Sequence, residues 1–85
     1  MKIEIDIPKY DPDIGIQYHW TNSFEVDIRT VNEAVQISAN KEGLLSLANH
    51  LLNLAQDEVP NGVHLHFDEY NSLEDGLLEL IIQKR

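Results

Sequence analysis

Between Asn40 and Gly62 the chain reads NKEGLLSLANHLLNLAQDEVPNG, and this segment constrains the fold more than any other. Asn40 is placed to cap a helix by accepting a hydrogen bond from a free backbone N–H of the first turn, and Pro60 with Gly62 stops that helix beyond Asp57. At 3.6 residues per turn, Leu44, Leu45, Leu47, Ala48, Leu51, Leu52, Leu54 and Ala55 fill about half of the circumference. Ser46, Asn49, Asn53, Gln56 and Asp57 fill the other half. The apolar stripe is wider than the roughly 100° needed to dock on a sheet, so it calls for a strongly curved sheet or a second subunit. His50 lies near the edge of the stripe and reads as a boundary residue. Asp57 and Glu58 stand where the helix dipole prefers cations, a placement that costs about 0.3–1 kcal/mol each.

The rest of the chain reads as strands. Ile3, Ile5 and Ile7 alternate with Lys2, Glu4 and Asp6, and Ile14, Ile16, Tyr18 and Trp20 alternate again. Thr21 to Ser23 is a short polar link to a third strand with Phe24, Val26 and Ile28, so a hairpin is expected there. Val35, Ile37 and Ala39 mark a fourth strand. After the Pro-Gly break, Val63, Leu65 and Phe67 point one way while His64, His66 and Asp68 point the other. In the last strand Leu78, Leu80 and Ile82 are expected to face the helix, with Leu77, Glu79 and Ile81 opposite. The expected fold is α+β: a mostly antiparallel five- to six-stranded sheet packed on one amphipathic helix, a two-layer sandwich in the order β-β-β-β-α-β-β.

At 85 residues the chain is a single domain, residues 1–85, with a thin core. It has no cysteine, so neither a disulfide nor a thiolate metal site supports it, and a reducing cytoplasm fits. Nothing at the N-terminus reads as a targeting segment, and polar residues interrupt the longest apolar stretch too often for a membrane span. Fifteen acidic against six basic residues leave a net charge of −9, which disfavours nucleic acid and anionic membrane and favours a basic protein surface. Acidic surfaces also serve solubility alone.

Strand alternation places Glu4, Asp6, Glu25, Asp27, Asp68 and Glu79 on the sheet face away from the helix, with His64 and His66 among them. Opposed like charges cost tenths to about 1 kcal/mol per pair, a cost that a docking surface for a basic partner rationalises. His64 and His66, two apart on a strand, project to the same side about 6.5–7 Å apart, which suits one zinc ion if Asp68, His19 or Glu79 completes the set. The competing role for these imidazoles is to satisfy carboxylates and soften the negative field. No residue pattern suggests a catalytic nucleophile or a phosphate-cradling loop. Trp20 reads as core packing rather than an interface anchor.

The block ANKEGLLSLANHLLNLAQDEVPNGVHLHFDEYNSLEDGLLELII resembles the small bacterial immunity proteins of polymorphic toxin systems, in the family numbered thirty-two. The GLLSLANHLLNLA helix, the VHLHFD strand and the LEDG turn before LLELII carry the likeness. It implies a protein without catalysis or cofactor that binds and neutralises a cognate toxin. Many such toxins are nucleases with basic clefts. An acidic sheet face and the loop from Asp68 through Glu69, Glu74 and Asp75 are then the expected contact. Two alternatives stand beside it: a small homodimeric structural or regulatory domain, and a metal-dependent hydrolase built on His64, His66 and Asp68.

Overall fold

A computed structural model of the chain describes residues 1–68 and 79–85. Its elements are β1 (Val26–Val31), β2 (Ala34–Ala39), α1 (Lys41–Leu54), β3 (His64–Phe67) and β4 (Leu80–Gln83). The α+β class is as expected, but the single five- to six-stranded sheet is not formed among the described residues. Instead β1 pairs with β2 and β3 with β4, each pair a separate two-stranded antiparallel sheet. No described helix is long and apolar enough to cross a membrane. Leu77 and Leu78 lie outside the described residues.

The first hairpin turns at Asn32 and Glu33, not at Thr21 to Ser23. Both turn residues have positive φ, 48° and 61°, as a two-residue turn matched to strand twist requires. Asn32 suits that conformation; Glu33 does not, which is why the turn carries no Asn-Gly signal. The register sets Val26 opposite Ala39 and Ile28 opposite Ile37, and Val26 and Ile28 are buried. In the second hairpin Leu65 faces Ile82 and Phe67 faces Leu80. Leu65 and Phe67 are fully buried, and Leu80 and Ile82 pack against the core while Ile81 is exposed, as strand alternation predicts. Hydrogen bonds from Lys84 N–H to Val63 and from Gly62 N–H to Lys84 extend this ladder.

Residues 1–25 contain no strand; one isolated bridge joins Asp11 and Gly15. The alternation at Ile3 to Ile7 and Ile14 to Trp20 marks half-buried extended chain whose backbone groups pair elsewhere. Ile14 and Gly15 N–H donate to the Asp11 carbonyl, and three further amides of the N-terminal segment, Tyr10, His19 and Thr21, donate to side chains of α1 and its C-terminal extension. Thr21 N–H donates to Ser46 Oγ at 2.9 Å, His19 N–H donates to His50 Nε2 at 2.9 Å, and Tyr10 N–H donates to Gln56 Oε1 at 3.0 Å. Gln56 Nε2 in turn donates to the Pro8 carbonyl.

This pairing requires the polar side of the helix to face inward, the reverse of the expected orientation. Gly43, Ser46, His50, Asn53 and Leu54 are buried, whereas Leu44, Leu51 and Leu52 are 55%, 44% and 47% exposed. Leu54 and Leu47, at the border of the two faces, still contribute to the core of Val26, Ile28, Val59, Leu65 and Phe67. Gly43 permits close docking: a Cβ there would stand 2.4 Å from the Glu25 carbonyl oxygen and 3.0 Å from Val26 Cγ2. The cap at Asn40 is as expected, its Oδ1 accepting from Gly43 N–H at 2.8 Å, and the same oxygen accepts from Glu25 N–H. The helix ends at Leu54, before Asp57, and Lys84 Nζ donates to the Gln56 carbonyl just beyond it. That ammonium supplies a cation beyond the helix end, where Asp57 and Glu58 are adverse.

His50 is a core residue rather than a boundary one. It is fully buried among Trp20, Tyr18 and Phe67, with ring centroids at 4.5, 5.2 and 5.8 Å. Trp20 also stacks on Phe24 at 4.4 Å, in keeping with its core assignment. Because Nε2 accepts a hydrogen bond, the proton of the neutral ring sits on Nδ1, which has no partner among the described residues. Burial holds the imidazole below its ordinary 6.5, and the neighbouring His19 adds repulsion in the same direction.

Two outcomes follow. Gly43→Ala gains roughly 1 kcal/mol of helix propensity but meets backbone, so it lowers stability by about 1–3 kcal/mol in urea denaturation; a stabilised variant contradicts the docking geometry. For His50, the unfolded imidazole takes up its proton at higher pH than the folded one. Stability is therefore full above pH 6.5 and falls as pH drops from there through the lower folded-state value. Denaturation midpoints of His50→Gln, which keeps an acceptor but cannot titrate, have a shallower acid slope than wild type; equal slopes contradict it.

Candidate functional site

A common carboxylate face needs a common sheet, and with two separate hairpins the expected acids fall into three groups. Glu4 and Asp6, both exposed, line a cleft of about 320 Å³ between the N-terminal segment and α1. Ile3 and Ile5 of the same segment, with His19, Thr21, Leu45, Ser46 and Asn49, complete its wall. Glu25 and Asp27 line a second cleft of about 290 Å³ with Arg29, Ser38 and Asn40. Asp27 is only 8% exposed and binds its own cation, Arg29, through Nε at 3.0 Å and through the terminal nitrogen. Its charge is therefore largely answered within the chain, while Glu25 remains exposed.

The third group sits on the second hairpin, on the side turned away from the core. Asp68 and Glu79 occupy the next position beyond the last paired residues, Phe67 and Leu80. His66 lies two residues before Asp68 on the same side, with Nε2 3.0 Å from Glu79 Oε2. His66, Asp68 and Glu79 each offer one ligand atom, all within 4.8 Å of one another. The His66 imidazole pairs with Glu79, and the donor set of the three residues is compatible with a divalent cation. His64 does not join it: its Nδ1 lies 3.3 Å from the Gly62 carbonyl. His19 lines the first cleft instead. The trio named from spacing, His64, His66 and Asp68, is thus replaced by His66, Asp68 and Glu79. Glu69, Glu74 and Asp75 lie outside the described residues.

Tyr18 fixes the backbone of this hairpin from the side. Its hydroxyl accepts from His66 N–H at 2.9 Å and lies 3.4 Å from the His66 carbonyl, occupying strand groups that would otherwise be open for pairing. An aromatic from the N-terminal segment therefore helps to set where the His66 imidazole is presented.

Apolar surface remains outside the core, in keeping with a helix stripe wider than one sheet can cover. Leu44, Leu51 and Leu52 project from α1, and Val35 and Ile37 from β2 are 65% and 43% exposed. The signal was present in the spacing of the leucines; only its direction was misassigned, because leucines are ordinarily placed inward.

The family model of Immunity protein 32 matches residues 34–85, which span β2, α1, β3 and β4 and so carry the helix and the acidic hairpin just described. No curated protein and no solved structure matches the chain. The match covers more than half of the residues and includes every element but β1, and on that ground the chain belongs to the Immunity protein 32 family.

Proposed function

We propose that the chain binds and neutralises a cognate bacterial toxin, one to one and without catalysis, as the immunity partner in a polymorphic toxin system. Membership of the Immunity protein 32 family is the observation that carries this reading. The net charge of −9 supports a toxin with a basic surface and argues against nucleic acid as a direct ligand. A nuclease is the toxin class that fits best, since its substrate cleft is cationic and an acidic domain can occupy or cover it. The site of action is then the cytoplasm, where such a toxin meets its target.

The contact residues proposed are Glu4 and Asp6 beside the first cleft, Glu25 with its neighbour Asp27, whose charge Arg29 largely answers, and His64, His66 and Asp68 on the second hairpin, together with Glu69, Glu74 and Asp75 of the sequence after Asp68. Electrostatic attraction of this kind acts chiefly on the association rate and weakens with salt. Apolar contact supplies the remaining affinity.

Co-expression with the toxin encoded beside this gene should preserve viability, and the two proteins should co-purify at equal stoichiometry. Reversing Asp68, Glu69, Glu74 and Asp75 to lysine lowers the association rate by about tenfold or more at low salt and weakens protection. A wild-type chain that neither binds nor protects overturns the reading. Full protection by the reversed variant removes these four acids from the contact.

A further inference from the structure

The outer side of α1 forms one line of apolar side chains. Leu44, Ala48, Leu51 and Ala55 follow a 4-3-4 spacing that repeats on one face of a helix, and Leu45 and Leu52 flank them. The opposite side, with Gly43, Ser46, His50 and Asn53 in 3-4-3 spacing, already binds the body of the domain. The outward line therefore has the pattern of a helix–helix seam, with leucine and alanine alternating as knob and hole. Such a seam is complementary to itself, as a two-fold contact requires.

The distribution of charge identifies the occupant. The chain has fifteen acidic and six basic residues, yet from Gly43 to Gln56 it has no acidic residue at all. Two copies of a chain with charge −9 repel wherever their carboxylates meet. On the outer side of α1 the helix itself brings no carboxylate to the seam, and the acids beside it, Glu4 and Asp6, stand across the cleft that Leu45 lines. A cationic toxin gains no counter-charge there and is drawn to the acids instead. We infer that two copies of the chain associate through the outer sides of α1, in a reversible dimer centred on Leu44, Leu51 and Leu52.

The seam runs over twelve residues, Leu44 to Ala55, about 18 Å of helix, and so buries less than the roughly 1,200–2,000 Å² of a standard stable complex. Association is accordingly concentration-dependent. It leaves Glu25 and the acids of the second hairpin clear, with Glu4 and Asp6 at its margin beside Leu45, and stands or falls separately from the toxin-binding reading.

Sedimentation of the full chain from micromolar to millimolar concentration tests it. The apparent mass rises from the 9.8 kDa of one chain towards twice that value. Leu44→Gln with Leu51→Gln abolishes the rise while the circular dichroism spectrum is retained. A wild-type chain that stays monomeric throughout overturns the inference, as does a folded double variant that dimerises like wild type. Because the chain lacks cysteine, a second variant avoids any question of folding. Ala48→Cys, near the middle of the seam, forms an intermolecular disulfide under mild oxidation, whereas Gln36→Cys on β2 does not. Equal cross-linking at both positions overturns the assignment of the face. Double-variant protein that remains monomeric yet still protects cells from toxin separates the dimer from immunity.

Discussion

The structure depends on a substitution of side chains for strands. Buried backbone N–H groups must find acceptors, and leaving one without a partner costs about 1–3 kcal/mol. In residues 1–25 no neighbouring strand provides them. Ser46, His50 and Gln56 do so instead, accepting from Thr21, His19 and Tyr10. Two acceptors on α1 and one just beyond its end thus hold an irregular segment as a sheet would hold a strand. They can do so only if the polar side of α1 faces the domain.

Much else follows from that orientation. Gly43 must be small because the seam brings the helix onto the Glu25 carbonyl. His50 must stay neutral because its Nε2 is an acceptor inside an aromatic cage. The leucines that a two-layer sandwich would have buried are displaced outward, where they form a carboxylate-free strip on an otherwise strongly acidic molecule. The hairpin acids and the apolar strip therefore lie on different elements, with Glu4 and Asp6 meeting the strip's margin at Leu45.

The legible parts of the fold were those set by local chemistry. The Asn40 cap, the alternation in β3 and β4 and the core role of Trp20 all depend on near neighbours or on simple period, and all appear in the structure, whereas the helix stops at Leu54, ahead of the break at Pro60 and Gly62. The N-terminal strands failed because alternation reports that one side of an extended chain is covered, not that its edges are paired. The hairpin at Asn32 was hidden because Glu33 is a poor residue for positive φ. The helix face failed because leucine count outweighed hydrogen-bond demand: nothing local shows that Tyr10, His19 and Thr21 need acceptors. Of the site, residue types were legible but not grouping. Asp68 and Glu79 meet only through the β3–β4 register, and His64 parts from His66 because its ring turns to Gly62. Kinship, by contrast, was carried by the helix and hairpin motifs themselves, within the segment that the family match covers.

Amide hydrogen exchange tests the inward polar seam most directly. With Ser46, His50 and Gln56 as acceptors, the amides of Thr21, His19 and Tyr10 exchange slowly although no strand contains them, and Ser46→Ala selectively releases Thr21. Exchange of all three at the rate of unstructured chain, with the rest of the domain protected, would contradict the account.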